Sequence, residues 1–377
     1  VPDGFVVTAQ AYFRFIKANE LEPKIRAILE PLDVNNSQKL QKAAKQVQSL
    51  ILKAKMPADL AEGVVQAYRK LGKNVDVAIR SSATAEDLPD ASFAGQQATF
   101  LNINKDKSVL KYTQAAWASL FEARAIFYRV NQGFDHFKVG IAVPVQRMVQ
   151  SDVSGIMFSI NPINNDDSVV IVEAIWGLGE NIVQGAVTPD HYVVQKKGWE
   201  VIKAQKVKQT KEMVRKLGRT RDFTVPKSRQ EKRKLTDKQV IALAKQAVKL
   251  QEHYDHPQDI EWAIEDDRLY IVQTRPITTI QTVADKQAIS DQMQSTLAKM
   301  KKILEGEPAS PGIFSGKVRH IKTPSEIHKL EVGEIMVTSM TTPDFVPAMK
   351  KAGGLITDKG GQTSHAAIVS RELGLPC

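Results

Sequence analysis

The sequence has a single cysteine, Cys377, among 377 residues. One thiol cannot build a disulfide framework, and its scarcity fits a reducing compartment. Long apolar runs are missing too, since no stretch approaches the roughly 18 residues that a membrane span requires. The N-terminus has no basic region leading into an apolar core, so no secretory signal is visible. On these grounds the chain reads as cytoplasmic. There is also no internal repeat or low-complexity tract, and no P-loop or dinucleotide fingerprint.

With 42% hydrophobic and 25% charged residues, the composition is that of an ordinary globular protein. Its length allows two or three domains with separate cores. The chain opens on Val1 instead of Met and stops on Pro376-Cys377 within the last domain, so it reads as a piece of a longer protein. Lys and Arg (52) outnumber Asp and Glu (42), a net charge of +10 that raises the question of nucleic acid. Much of the excess lies in residues 196 to 239, which hold one Trp, one Phe and no nucleic-acid motif. That stretch reads as a solvated, partly mobile surface segment.

Helical and strand patterns alternate from residue 1 to about 280, with strand-like VDVAIR (75 to 80), SGIMFSINP (154 to 162), SVVIVEAIWG (168 to 177) and DHYVVQ (190 to 195). The mixture predicts an α+β domain. Ile289, Met293, Leu297, Met300 and Leu304 recur at helical spacing and predict a linker helix over 281 to 306. A Gly, Pro and Ser-rich stretch at 305 to 316 places a domain boundary near 306. A second unit, 307 to 377, follows with strand-like GKVRHI, GEIMVTSM and GGLITD.

Three groups of residues carry chemistry. In DKGGQTSHAAIVSRELGLP, Ser364 is a good N-cap, Gly374 a good C′ residue and Pro376 a stop, so a helix is delimited with His365 in its first turn. Unpaired N–H groups, the positive end of the helix dipole and the glycine turn before it make an anion site, and the dipole favours a neutral, nucleophilic ring. The plainer reading is a histidine bonded to a nearby carbonyl. No zinc-type partner lies at i+4, which argues against metal ligation. Arg80 ends a strand and enters a Ser, Thr and Gly-rich loop, where a planar guanidinium suits phosphate oxygens or, more plainly, Glu86 or Asp87.

PQDIEWAIEDDRLYIVQTRPIT (257 to 278) reads as a β-hairpin. If Asp266-Asp267-Arg268 form a three-residue turn, Glu261 faces Gln273 and Asp259 faces Arg275, whereas a two-residue turn breaks that register. One face then offers oxygen ligands from Glu261 and Gln273 for a hard cation, and Arg275 for negative charge on a transferred group. Cross-strand pairs on a wet sheet face are the bland alternative.

GGLITDKGGQTSHAAIVSRELGLP resembles the phosphohistidine motif of the PEP-utilising dikinases, and the whole chain resembles the phosphoenolpyruvate synthase (pyruvate, water dikinase) family. The resemblance implies an ATP-grasp-like, two-lobed nucleotide-binding domain (1 to 280) and an incomplete swivelling phosphohistidine domain (307 to 377). It implies that His365 takes phosphate from ATP and that a regulatory kinase/phosphorylase modifies Thr363. It assigns nucleotide contacts to Arg80, Gly95, Asp259, Glu261, Gln273 and Arg275, adenine-side contacts to Gln146, Met148 and Val149, and Mg²⁺ to Glu261 and Gln273. The implied reaction converts ATP, pyruvate and water to AMP, phosphoenolpyruvate and phosphate, in a full-length homo-oligomer.

The family's Gly-Gly-Lys segment and C-terminal pyruvate barrel are not in the sequence. The short interval from Arg275 to His365 fits the synthase arrangement. A dikinase with another acceptor (phosphate, a glucan or an antibiotic), a nucleotide-binding regulatory module and a nucleic-acid binder remain the competing readings.

Overall fold

The computed structural model describes residues 1–34, 36–84, 87–88, 91–92, 98–131, 133–216, 218–277, 303–362 and 364–377. It combines helix and sheet in two compact units, Val1–Val149 with Leu217–Thr220, and Gln150–Lys216 with Arg221–Cys377. The expected linker helix lies almost entirely outside the described residues. No helix among those described is long and apolar enough to cross a membrane.

In the first unit the strands are β1 (Gly4–Val7), β2 (Val77–Arg80), β3 (Ser82–Ala83), β4 (Asp87–Leu88), β5 (Ala91–Ser92), β6 (Thr99–Ile103) and β7 (Ile141–Arg147). An antiparallel sheet runs β1-β7-β2-β6, with β3 also on β7, and β4 pairs β5 separately. Period-two alternation explains β7, where Ile141, Val143 and Val145 are buried and the residues between them only half-buried.

The helices are α1 (Ala9–Ala18), α2 (Leu21–Leu29), α3 (Ser37–Lys53), α4 (Ala58–Lys70), α5 (Asp106–Ser119) and α6 (Ala123–Asn131). Helical spacing in α3 turns Leu40, Ala43, Ala44, Val47 and Ile51 onto one buried stripe. Tyr12, Phe15, Trp117 and Phe121 pack into the same core.

The second unit is built on β8 (Val153–Phe158), β9 (Val169–Trp176), β10 (Asp190–Gln195), β11 (Glu200–Gln205), β12 (Lys211–Lys216), β13 (Arg219–Thr224, of which the unit takes Arg221 onward), β14 (Gln258–Glu265) and β15 (Arg268–Pro276). Six of these form an antiparallel sheet in the order β11-β10-β9-β8-β14-β15, while β12 and β13 pair as a ribbon. Every residue of β8 and β9 is buried, so both faces of the sheet centre are covered. Beyond the short α7 (Glu180–Val183) and α8 (Lys227–Gln230), helix α9 (Asp237–Tyr254) lays Val240, Leu243, Ala244 and Ala247 against Val170, Val172, Tyr192 and Trp262. Ile156, Phe158, Ile171 and Ile175 form a separate cluster with Ile182, Val187 and Ile277.

The C-terminal part carries three parallel strands, β16 (Val318–His320), β17 (Ile335–Thr338) and β18 (Gly354–Thr357), with α10 (Val346–Met349) and α11 (His365–Leu373). Ile321, Leu330, Met336, Phe345, Leu355 and Val369 give it a core of its own.

The basic stretch is mostly exposed, as expected, but it has regular structure and one buried lysine. It folds into β11, β12, β13 and α8, and Lys234 within it is fully buried. Lys234 Nζ lies 2.7 Å from Asp190 Oδ1, and Asp190 also accepts from the Tyr192 hydroxyl and from the backbone N–H groups of Val207 and Lys234. Burial lowers the Lys234 pKa against the pull of Asp190. A count of like charges could not reveal this, because the carboxylate that makes burial tolerable lies 44 residues away.

Candidate active site

The β14–β15 hairpin closes through two residues, with Glu265 opposite Arg268. Asp266 and Asp267 stand at φ 48° and 60°, the left-handed pair that a tight hairpin turn requires. The three-residue turn is therefore corrected, yet the pairing expected from it is present: Asp259 faces Arg275 and Glu261 faces Gln273. A bulge between Glu261 and Trp262 inserts Val272 as one extra residue in β15 and offsets the shorter turn.

Arg275 donates through Nε at 2.9 Å and Nη2 at 2.8 Å to a single oxygen of Asp259. Burial pushes the Asp259 carboxyl upward despite Arg275; burial opposes the charge on Arg275 as well, but Asp259 together with Glu261 and Glu372 raises the guanidinium. Strand register extends the Glu261 row across the sheet, from Gln273 through Glu261, Ile156 and Glu173 to His191. Residues paired side by side share a face, so this row places two carboxylates, an amide and an imidazole on one side. His191 Nδ1 lies 3.6 Å from Glu173 Oε1.

Helix α11 begins at His365 as its caps predict. The Ser364 hydroxyl accepts from Ala367 N–H at 3.4 Å, and Gly374 ends the helix at φ 63°. At φ 119° Gly360 makes the turn ahead of the cap, where a Cβ would stand 2.8 Å from Ser364 Oγ. The half-buried His365 ring is held by Thr341, whose Oγ1 lies 2.9 Å from Nδ1. With the ring proton on Nδ1 this bond donates to Thr341, and Nε2 carries the lone pair.

This helix and the turn before it meet the sheet. Gln362 N–H donates to Glu173 Oε1 at 3.1 Å, and Arg371, from the last turn of α11, lies over the Phe158 ring. The Arg371 guanidinium donates to the carbonyls of Gln362 and Ala309 at 2.8 and 3.0 Å. Burial lowers its pKa, while the negative fields of Asp259 and Glu173 oppose that shift. Sequence reading missed Thr341, Glu173 and Arg371. A glutamate inside the otherwise apolar VVIVEAIW was a legible signal; Thr341 and Arg371 had none without the fold.

The remaining expected residues lie in the first unit. Arg80 ends β2 opposite Thr99, and Gln146 in β7 faces both Gly4 and Ala78. Met148 donates its N–H to Asp76 O at 2.8 Å, and Val149, 8% exposed, ends the first stretch of the unit. Gly95 and Thr363 lie outside the described residues. Among those described, no group of three or more His, Cys, Asp or Glu is arranged to hold a metal.

Comparison with known proteins matches residues 1–296 to the family model "Pyruvate phosphate dikinase, AMP/ATP-binding domain" and residues 330–377 to "PEP-utilising enzyme, mobile domain". Over 383 residues the chain is 47% identical to a probable phosphoenolpyruvate synthase of Methanothermobacter thermautotrophicus, covering 100% of this chain and 54% of that protein. With the phosphoenolpyruvate synthase of Pyrococcus furiosus it shares 43% identity over 423 residues, 100% of this chain and 51% of the relative. The synthase of Aquifex aeolicus is 43% identical over 401 residues, 100% and 47% of the two chains. The chain thus spans about half the length of these curated relatives. With the first model covering most of its length, the chain belongs to the pyruvate phosphate dikinase AMP/ATP-binding family, and its last residues to the mobile domain of the PEP-utilising enzymes.

Proposed function

We propose that this chain is the nucleotide-binding and phosphohistidine part of a phosphoenolpyruvate synthase, in which His365 carries phosphate from ATP toward pyruvate. The observation that carries the reading is the His365 ring, anchored through Nδ1 to Thr341 at the first turn of α11, in a unit that also holds the Asp259, Glu261, Gln273 and Arg275 hairpin. The family and the names of the relatives support it.

In this reading residues 1 to 280 form an ATP-grasp-like domain, and 307 to 377 a swivelling domain beyond a linker at 281 to 306. Arg80 and Gly95 hold phosphate oxygens, Gln146, Met148 and Val149 face the adenine, and Arg275, oriented by Asp259, meets charge on the phosphoryl group. Glu261 and Gln273 are paired oxygen donors suited to Mg²⁺, which takes few protein ligands and shares the rest with phosphates and water. Bound there, the ion would neutralise phosphate charge.

His365 Nε2 attacks the β-phosphorus with its lone pair, and the bond to the AMP oxygen breaks. Hydrolysis then releases inorganic phosphate, and the phosphoryl group left on Nε2 passes to the pyruvate oxygen. Thr363 is the proposed site of a regulatory kinase/phosphorylase, the full-length enzyme a homo-oligomer, and its location the cytoplasm, in keeping with the single cysteine.

The test is incubation of the full-length protein with Mg²⁺ and ATP labelled at the β-phosphate, beside His365→Ala. Acid-labile, base-stable label lost in the variant is expected, with AMP released as the label appears and the label passing to phosphoenolpyruvate on adding pyruvate. ATP binding without label on folded protein would remove the proposal.

A further inference from the structure

Among the described residues, the core of the first unit contains a cation with no carboxylate partner. Arg129, in α6, is 0% exposed, and its Nη1 and Nη2 have no acceptor among the described residues. Nε donates to His136 Nδ1 at 2.8 Å, while the guanidinium lies 5.3 Å above the Phe121 ring. Neither partner carries negative charge. Asp135, next to His136 in the chain, is held by Phe137 N–H and Arg26, and Glu22, whose field reaches Tyr12, is held by Arg26.

Three more buried groups lack partners among the described residues. The Tyr12 hydroxyl, Trp117 Nε1 and Thr113 Oγ1 are unsatisfied in side chains that are each 0% exposed. Thr113 and Trp117 are one turn apart on α5, and the Tyr12 and Trp117 rings meet edge-on at 6.3 Å. Burial lowers Arg129 to about 10, and the neighbour that opposes this is Tyr12, not a carboxylate.

The set is rich in donors. Guanidinium and indole N–H can only donate, and the two hydroxyls can turn their hydrogens inward. Water would accept such bonds but leave the charge uncompensated, whereas an anion answers both needs. A single positive charge among aromatic walls suits one monovalent ion, and full burial disfavours a larger oxyanion.

We propose that the core of this unit binds a small inorganic anion of the halide class at Arg129 Nη1 and Nη2, with the Tyr12 hydroxyl as a further donor. Its role is structural, completing the core that supports β2 and β7, and it does not depend on the phosphotransfer reading.

The experiment is thermal unfolding of the full chain at constant ionic strength, with gluconate replaced stepwise by chloride or bromide, together with anomalous scattering from a bromide-soaked crystal. Halide is expected to raise Tm by roughly 2–4 °C, as a ligand bound only by the folded state does. The rise should vanish in Arg129→Met, and a bromide peak should lie within hydrogen-bond distance of Nη1 or Nη2 in the unsubstituted protein. Should Arg129→Met not fold, the bromide peak and the halide-specific Tm still decide. Equal Tm in all anions, or water alone at both nitrogens in the bromide crystal, overturns the proposal.

Discussion

Glu173 Oε1 accepts the backbone N–H of Gln362 at 3.1 Å, joining the middle of β9 to the turn before His365 across 189 positions of sequence. The contact is close because residue 361 is glycine: a Cβ there would stand 3.1 Å from both Glu173 carboxylate oxygens and from Pro189 Cδ. Gly361→Val would force a branched side chain into that gap and lift Gln362 from Glu173. Phosphohistidine formation is expected to slow by about tenfold, or about 1.4 kcal/mol. Unchanged initial rates of label incorporation in this variant would remove the positional role of the turn.

Thr341 Oγ1 shares a hydrogen bond with His365 Nδ1, so Thr341→Val keeps the shape and deletes that bond. The expected result is roughly a tenfold slower labelling of His365, with ATP affinity unchanged and Thr341→Ser close to wild type. A Val variant as fast as the Ser variant would show that packing alone orients the ring.

Glu261 and Arg275 test the hairpin. Glu261→Gln retains size and pairing but loses charge, and should lower labelling about 10²-fold while weakening the response to Mg²⁺ concentration. Arg275→Leu leaves Asp259 buried without its partner, so a loss of stability should accompany its loss of activity. The discriminating result is a normal Mg²⁺ response in Glu261→Gln, which would take the metal role from that carboxylate.

Lys234→Met strands Asp190, a 0% exposed carboxylate, in the core. The expected cost is about 3–5 kcal/mol, read as a lower urea midpoint. Replacing both, Asp190→Leu with Lys234→Met, should recover part of it. A single variant as stable as the parent would mean that water reaches Asp190.

His136 makes stability pH-dependent. Burial first and Arg129 second lower its pKa from 6.5 to about 4, with Arg26 adding to the shift and Asp135 opposing it. The unfolded chain therefore takes up the proton first as pH falls. The stability due to a neutral His136 is complete above pH 6.5 and lost toward pH 4, by up to about 3 kcal/mol. Urea midpoints at pH 7, 5 and 4 should show this decline, flattened in His136→Gln; parallel curves for the two proteins would exclude it.

Local signals carried much of the fold. Helix α11 was legible from Ser364 and Gly374, and β8, β9 and β10 from short apolar or alternating runs, because caps and side-chain periodicity depend on neighbours in sequence. The hairpin was legible as a hairpin, and its pairs as pairs, but for a reason the sequence did not display. Two aspartates at positive φ make the shorter turn, and a bulge at Val272 restores the register.

What the sequence by itself determined was where the polar and ionisable groups stand along the chain: His365 behind its glycine turn, and Asp259, Glu261, Gln273 and Arg275 on two adjacent strands. The tertiary structure alone decided that Thr341 holds the histidine, that Glu173 receives the turn before it, that Lys234 is buried on Asp190, and that Arg129 stands in the core without a carboxylate among the described residues. Each depends on groups brought together from distant positions. Burial and the company of charges are properties of that assembly, and they set the energy of an ionised group far more than its neighbours along the chain do.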